Sequence, residues 1–422
     1  MMELMIIFFV VGYLFIALEH VVKIDKAATA LFTGVTLWAI LIFIGHDAIE
    51  TKLHLSEHFE EIAEILFFLL AAMTIVELID SHNGFSIINK VITTTKKIKL
   101  LWLLSILTFF LSAVLDNLTT TIVMVALIKK FFDDKSDLWY FAGFIIIAAN
   151  AGGAWSPIGD VTTIMLWNGG QVSTNAIILG LFVPSLMCLL VPLTVVSFYI
   201  KGNIDNNAEQ TDNNHSQIST KESYFILALG VGLLLFVPVF KTITHLPPFV
   251  GMLFSLSVLW IVTEILHRKK PEDVRHSFSV ARTIQKIDTP SVLFFLGILL
   301  AVASLQSNGT LTLLGTTLEN SFSNIYIINI VLGLLSSIVD NVPLVAGAMG
   351  MYPLDIFPQD HNFWTFLAYC AGTGGSVLII GSAAGVAAMG ILKIDFLWYL
   401  KKMSWLALLG YFAGIVSYLI MK

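Results

Sequence analysis

The sequence predicts an all-α polytopic membrane protein made of two inverted repeats, each with a re-entrant hairpin and a broken transmembrane helix. Three observations lead to this fold class: an apolar composition, a polar phrase that occurs twice, and a one-sided distribution of basic residues. Hydrophobic residues make up 57% of the chain and charged residues 12%, and the mean hydropathy is +0.87. Soluble domains carry far less apolar surface, so the composition excludes the soluble classes.

The repeated phrase ends in an aspartate and an asparagine. It reads Ser-Ala-Val-Leu-Asp-Asn at residues 112–117 and Ser-Ser-Ile-Val-Asp-Asn at residues 336–341, which is 224 positions later. About thirty-five residues beyond each phrase lies a second match, between residues 152–160 and residues 374–382. These read Gly-Gly-Ala-Trp-Ser-Pro-Ile-Gly-Asp and Gly-Gly-Ser-Val-Leu-Ile-Ile-Gly-Ser. We interpret the four stretches as one site that is built twice.

Apolar runs long enough to cross a bilayer define the predicted spans. The runs are residues 4–18, 27–44, 62–79, 141–167, 176–200, 224–240, 249–266, 291–305, 363–392 and 403–421. The first run is short, but it has no basic flank and no cleavage site, so we expect a membrane helix there rather than a leader. Runs 141–167 and 363–392 are interrupted by Gly, Ser and Pro or Thr, which predicts broken helices.

The two Asp-Asn phrases lie in residues 100–130 and 325–351, and each of these segments could either cross the membrane or dip in and return. The arms on either side of Asp116 have about 16 and 10 residues, which is roughly 24 and 15 Å of helix against a bilayer core of about 30 Å. Neither arm would span the core alone. We therefore predict that both segments are hairpins.

The basic residues support the hairpins through the positive-inside rule. With two hairpins and an external N-terminus, 20 of the 23 Lys and Arg residues are cytoplasmic. The three outside are Lys52, Lys241 and Lys422. If both segments crossed instead, the division would be 10 to 13. Each half then crosses five times, so the second half is inverted, as in secondary transporters. The predicted repeats are residues 1–200 and 223–422, joined by a cytoplasmic polar linker at 201–222.

Backbone that is freed where a membrane helix breaks must line a protein-enclosed cavity, and its ends offer ready-made ion sites. The four stretches add side-chain oxygens there. These belong to Asp116, Asn117, Thr119, Thr120 and Thr121 in the first hairpin, Asn150, Ser156, Asp160, Thr162 and Thr163 in the first broken span, Asp340 and Asn341 in the second hairpin, and Thr373, Ser376 and Ser382 in the second broken span. Such oxygens suit alkali and alkaline-earth cations. None of the four stretches contains Lys, Arg or His, which argues against an anion.

Simpler roles are open for some of these residues. Serine and threonine in membrane helices often bond a helix backbone, and the glycine pairs are simplest as helix breakers. An intramembrane aspartate is costly, so function is the default for Asp116 and Asp160, while Asp340 could instead cap a hairpin tip. Outside the site we expect solvated histidines in an acidic outer loop and two packing cysteines. These are His46, His54 and His58, and Cys188 and Cys370.

At these residues the chain resembles the ion transporter superfamily and, within it, the NhaD-type sodium/proton antiporters. The resemblance lies in Ser-Ala-Val-Leu-Asp-Asn-Leu-Thr-Thr from residue 112, Asn-Ala-Gly-Gly-Ala-Trp-Ser-Pro-Ile-Gly-Asp-Val-Thr-Thr from residue 150, and Ser-Ser-Ile-Val-Asp-Asn-Val-Pro from residue 336. It implies an elevator-like mechanism, a homodimer, and exchange of Na⁺ or Li⁺ for H⁺. Because Ser382 stands in the second repeat where Asp160 stands in the first, we expect a lopsided site.

We expect protons and sodium to compete for this site. Partly desolvated, Asp116 and Asp160 would bind either a proton or Na⁺, and the ion would be held at Asp116, Asn117, Asp160 and Asn341. The expected ligands are the transported ions alone, without a cofactor or a nucleic acid. The expected location is the inner membrane of a bacterium, where such exchange serves pH homeostasis.

Two other functions stay open at this point. An oxyanion or dicarboxylate carrier of the same superfamily is the main alternative, although its dicarboxylate carriers have Ser-Asn-Thr at the hairpin tips where this chain has Asp-Asn. An intramembrane aspartyl protease is a remote alternative, because Gly159-Asp160 matches part of a Gly-x-Gly-Asp motif. Residue 157 is proline, however, and the companion Tyr-Asp pair of such proteases is absent.

Overall fold

A computed structural model describes residues 2–17, 19–43, 47–86, 94–129, 131–132, 134–203, 219–322 and 324–422. His46, Lys130 and most of the predicted linker lie outside the described residues. The first half contains α1 (Met2–Ala17), α2 (Glu19–Val22), α3 (Lys26–Phe43), α4 (Ala48–Ser81), α5 (Lys97–Leu115), α6 (Asn117–Ile128), α7 (Lys135–Ala154), α8 (Val161–Asn168) and α9 (Thr174–Ser197). The second half contains α10 (Thr220–Thr244), α11 (Pro248–His267), α12 (Glu272–Ser277), α13 (Val280–Ile284), α14 (Thr289–Ser307), α15 (Thr310–Ser321), α16 (Ile325–Leu335), α17 (Asn341–Met351), α18 (Asn362–Gly374), α19 (Ala383–Leu392), α20 (Phe396–Lys402) and α21 (Ser404–Met421).

The protein is an all-α polytopic membrane protein. Eight helical stretches among the described residues are long and apolar enough to cross a bilayer. The helices pack mainly as two groups. The first group contains α1, α3, α4, α10, α11 and α14, and the second group contains α5 to α9, α16 to α19 and α21. The groups meet where α14 contacts α17, where α4 contacts α8 and where α10 contacts α5.

The two broken spans occupy the interior of the second group. Every residue of α7 from 141 to 154 and every residue of α18 from 363 to 374 is buried. A helix that is apolar on all sides is expected to be buried on all sides. The breaks that follow these two helices therefore fall inside the protein, away from lipid.

Both hairpin segments return to the end of the molecule where they start. Lys97, the first residue of α5, forms an ion pair with Asp137 in the first turn of α7. In the second half, Asn329 in the second turn of α16 donates a hydrogen bond to the carbonyl of Phe363 at the start of α18 (2.9 Å). A crossing segment would separate the two residues of each pair by about 30 Å of bilayer core, so this is the geometry that a hairpin requires.

The two broken spans run antiparallel to each other. Trp139, near the start of α7, donates its indole N–H to the carbonyl of Leu392 at the end of α19 (3.3 Å). At the opposite end, Ser173 beyond α8 donates its backbone N–H to the carboxylate of Asp360 before α18. Inverted repeats require opposite directions of this kind. The orientation of the halves in the membrane, and the repeat boundaries, stay predictions.

Each Asp-Asn hairpin packs closely on the broken span of its own half. Ser112 and Ser336, at equivalent positions of the repeated phrase, donate to a backbone carbonyl of α7 and α18 respectively (2.6 and 2.9 Å). Glycine is needed at Gly152 and Gly374, because a Cβ at either position would collide with a backbone carbonyl of the adjoining hairpin arm. The serines and glycines of the repeated sequence therefore make the same contacts in both halves.

Two predictions of local structure were wrong. α5 has 19 residues and is long and apolar enough to cross a bilayer by itself. It is longer than predicted because it begins at Lys97, whose backbone N–H donates to the Gly202 carbonyl (3.2 Å). The argument from arm length therefore fails for this arm, and the hairpin is supported instead by the distribution of basic residues and by the Lys97–Asp137 ion pair. His54 and His58 lie on α4 and not in a loop, since Asp47 caps the helix start and accepts the N–H groups of residues 49 and 50 (2.8 and 3.0 Å).

The return of the first hairpin can be tested by labelling. We expect single cysteines introduced as Lys97→Cys and Lys135→Cys to react with an impermeant thiol reagent from the same, cytoplasmic side. The native Cys188 and Cys370 are buried, so their background reaction should be low. Labelling of the two positions from opposite sides would exclude the hairpin and the inverted repeat with it.

A pair of buried histidines joins the end of α4 to the end of α11. His82 donates from Nδ1 to the carbonyl of Leu78 (2.6 Å), so its Nε2 accepts from Nε2 of His267 (2.8 Å) when both rings are neutral. Burial lowers the pKa of His82 below its ordinary 6.5. The hydrogen bond to the Leu78 carbonyl and the charge of Glu222 oppose this lowering, while neighbouring Lys270 and Lys286 add to it.

Acidification should therefore destabilise the protein through His82. The unfolded chain takes up a proton at His82 at higher pH than the folded protein does, so this stabilisation is present above about pH 6.5 and is lost progressively below it. Between about pH 7.5 and 5.5 we expect acidification to lower the thermal unfolding midpoint in detergent more for the wild type than for His82→Gln. An equal fall in both proteins would assign the effect to other groups.

Candidate functional site

Four helices begin at the breaks in the interior, and each begins with a polar residue of the repeated stretches. The N-terminal residues are Asp116 before α6, Asp160 before α8, Asp340 before α17 and Ser382 before α19. Each of these side chains accepts a backbone N–H of its own helix, as N-cap residues do. The positive ends of four helix dipoles are thus directed at the same polar interior, where they favour acidic side chains.

Asp160 is the centre of the hydrogen-bond network at these breaks. Its side chain is 1% exposed. One carboxylate oxygen accepts from Asn117 Nδ2 (2.6 Å). The other accepts from the backbone N–H and hydroxyl of Thr162 (2.9 and 2.8 Å) and from Asn341 Nδ2 (3.4 Å). The carboxylate therefore receives hydrogen bonds from both halves of the chain, and all of the donors are neutral.

Asn150 connects this carboxylate to the second broken span. Its Oδ1 accepts from Asn117 Nδ2 (3.0 Å), and its own Nδ2 donates to the hydroxyls of Ser376 and Ser382 (2.9 Å each). Asn150 is fully buried on α7. Seven of the predicted site residues therefore form one network. They are Asn117, Asn150, Asp160, Thr162, Asn341, Ser376 and Ser382.

The other two aspartates lie beside this network and do not join it through hydrogen bonds. Asp116 accepts from the backbone N–H and hydroxyl of Thr119 (2.7 and 2.8 Å), and it borders a small apolar cavity between α4, α10 and α11. Asp340 accepts the N–H of Val342 (3.5 Å), and its own N–H donates to the Tyr13 hydroxyl (2.9 Å). The predicted coupling of Asp116 to Asp160 is thus not made by direct hydrogen bonds in this structure.

Several hydroxyl groups of the predicted site do not join the Asp160 network. Ser156, Thr163 and Thr373 donate to backbone carbonyls, which is the structural role that membrane serines and threonines often have. The hydroxyls of Thr120 and Thr121 are buried and have no hydrogen-bond partner among the residues that the structure describes. These two oxygens remain available to an ion or a water molecule.

Sequence reasoning missed the residues that hold the site from the other helix group. Tyr13 bonds the backbone of Asp340, and Lys241 on α10 bonds the backbone carbonyl of Trp167 near the end of α8 (3.0 Å). The one available signal was that Lys241 is a rare basic residue on the predicted outer side of the membrane.

Comparison with known proteins identifies the family. The chain matches the profile of a family described as citrate transporter over residues 13–365. It is 46% identical to sodium/proton antiporter 1 and 43% identical to sodium/proton antiporter 2 of Arabidopsis thaliana, covering 98% of this chain and 72% and 98% of those proteins. It is 30% identical to the Na⁺/H⁺ antiporter NhaD of Vibrio cholerae, covering 99% of this chain and 91% of that protein. The chain belongs to the citrate transporter family, among the NhaD-type sodium/proton antiporters.

In this NhaD-type chain the buried carboxylate has no basic partner. No Lys, Arg or His among the described residues bonds the Asp160 network. A buried carboxylate without a counter-charge is costly, and binding either a proton or a cation removes that cost. The network therefore has the chemistry to bind either a proton or a cation.

The bridging role of Asn150 can be tested by removing its amide. We expect Asn150→Ala to raise the sodium concentration for half-maximal exchange about ten-fold, since it leaves buried partners on both sides unsatisfied. Thr373→Val is the matched control, because the Thr373 hydroxyl bonds only its own helix (2.6 Å). Sodium titrations of both variants in membrane vesicles would measure this, and equal effects would remove Asn150 from the site.

Proposed function

We propose that this protein is a secondary transporter that exchanges Na⁺ or Li⁺ for H⁺ across a membrane by alternating access, with Asp160 as the group for which the ions compete. Its relatives in Arabidopsis thaliana and Vibrio cholerae are named sodium/proton antiporters. The single observation that carries the assignment to Asp160 is its buried carboxylate, which neutral donors from both halves surround. The protein is a transporter and not an enzyme, so the protease alternative is abandoned.

Binding of sodium at Asp160 needs a change in the asparagines around it. In this structure Asn117 and Asn341 present N–H groups to the carboxylate, whereas a cation is coordinated by oxygens. A half-turn of either amide would present its Oδ1 instead. We propose that the proton-loaded and sodium-loaded states differ in this way, and that Asp116 and Asp340 supply further negative charge beside the ion.

The remaining parts of the proposal concern assembly and location. We infer a homodimer of inverted repeats in the inner membrane of a bacterium, with the transported ions as the only ligands and no resident cofactor. The family resemblance supports the dimer and the elevator-like movement. The antiparallel broken spans support the inverted repeats.

An oxyanion or dicarboxylate carrier is the second candidate function, and the citrate transporter description of the matching family favours it. The chemistry of the site opposes it. A polycarboxylate would approach three aspartates and meet no side-chain cation in the network. Uptake of labelled citrate or succinate into proteoliposomes, with and without sodium, separates this candidate from the antiporter.

The proposal is tested by loss of the carboxylate charge. In everted membrane vesicles with a pH-sensitive dye, we expect Na⁺ and Li⁺ to dissipate the proton gradient through the wild-type protein. Asp160→Asn should abolish this response, because an amide cannot exchange a proton for a cation. Asp340→Asn should instead mainly raise the apparent KM for sodium, since Asp340 lies beside the network.

Asp355→Asn is the matched control, because Asp355 is an exposed aspartate outside the site. It should exchange ions like the wild type at an equal amount of protein in the membrane. Normal sodium-dependent proton movement in Asp160→Asn would exclude Asp160 as the exchanging group. A wild-type protein that carries citrate and ignores sodium would exclude antiport.

A further inference from the structure

The C-terminal end of α8 has a backbone carbonyl that no helix N–H satisfies. The preceding carbonyls of Met165 and Leu166 accept from Gly169 and Gln171 (2.9 Å each). The carbonyl of Trp167 accepts instead from the ammonium of Lys241 on α10 (3.0 Å). A cation at this position also interacts favourably with the negative end of the helix dipole.

The indole of Trp167 strengthens the same attachment. It is 1% exposed, and the Lys241 Nζ lies 4.6 Å from its ring centroid, which is cation–π geometry. Phe68 on α4 contacts the ring edge-on at 6.4 Å between centroids. One residue of α8 is thus held by two helices of the first group, through its backbone and through its ring.

α8 connects this attachment directly to the cation site. The helix has eight residues and is about 12 Å long. Asp160 precedes its first residue, and Lys241 holds the carbonyl of its seventh. A helix this short moves as a unit, so a shift at Trp167 displaces Asp160 relative to Asn117 and Asn341, whose helices do not share that attachment.

We infer that Lys241 is a positioning residue for the cation site: by holding the end of α8 it keeps Asp160 within reach of Asn117 and Asn341. This inference rests on the proposed function and deepens it. Lys241 touches neither the ion nor the network, so its effect passes through α8. Glu64 on α4 is the acidic group that interacts with the Lys241 ammonium, and it must be treated separately in any test.

The test compares three substitutions at this position. Lys241→Met removes both the hydrogen bond and the cation–π contact, and we expect the apparent sodium KM to rise about ten-fold with a smaller change in maximal rate. Lys241→Arg keeps both contacts and should stay within about three-fold of the wild type. Lys241→Gln can donate a hydrogen bond but carries no charge, so its apparent sodium KM should lie between those of the other two variants. It replaces Lys241→Met in the comparison if the methionine variant does not fold. Lys52→Met, at an exposed lysine, is the matched control for charge.

A second readout avoids turnover. Sodium should raise the thermal midpoint of the purified wild-type protein relative to choline, and Lys241→Met should need about ten-fold more sodium for the same rise. The double variant Lys241→Met/Glu64→Gln should behave like Lys241→Met; if it regains wild-type affinity, an unpaired Glu64 was the cause and the inference is wrong.

Unchanged sodium dependence of Lys241→Met in both assays also overturns the inference. The wild type and Asp160→Asn distinguish this from failure of the proposed function. If Asp160→Asn loses the sodium response while Lys241→Met keeps it, only the positioning role fails. If the wild type shows no sodium response, the proposed function fails.

Discussion

The structure depends on one constraint: backbone groups freed inside a membrane must find partners within the protein. Four helices start at interior breaks, and each has a polar N-cap that bonds its first N–H groups. Because these breaks cannot face lipid, they gather in the buried centre formed by α7 and α18. The same polar caps then face one another. The same polar cap residues therefore satisfy the freed backbone groups and supply side chains to the proposed ion site.

The charge of the site follows from the difference between the two halves. Asp160 brings a carboxylate to the network, whereas the equivalent Ser382 brings a hydroxyl that accepts from Asn150 and adds no charge. A second carboxylate there would add another buried charge without a cationic partner, at a further cost. The difference between Asp160 and Ser382, which the sequence already shows, therefore keeps the network at a single negative charge.

Local patterns predicted the breaks well, because Asp, Asn and Gly at a helix interruption act within a few residues of the chain. The breaks at Asp116, Asp160, Asp340 and Ser382 could all be located in this way, although a capping role was expected for Asp340 alone. The extension of α4 before residue 62 could not, since it depends on the cap at Asp47 within a polar stretch. Nor could the contacts of Tyr13 and Lys241, which join residues 327 and 74 positions apart and leave no periodic pattern.

Asp160 belongs to the hydrogen-bond network, whereas Asp116 and Asp340 lie beside it. This arrangement limits how many protons the proposed site can exchange for each sodium ion. Among the described residues the network contains one titratable group, so in the proposed mechanism Asp160 alone would exchange one sodium ion for one proton and leave the net charge of the site unchanged. Any exchange of more protons than sodium ions needs Asp116 or Asp340 to take part. Asp116 is placed for this by its position next to Asn117, whose amide already bonds Asp160. Rotation of the Asn117 amide toward an arriving cation would break its hydrogen bond to Asp160 and change the electrostatic potential at Asp116. Asn117 is therefore the residue through which the two carboxylates can be coupled.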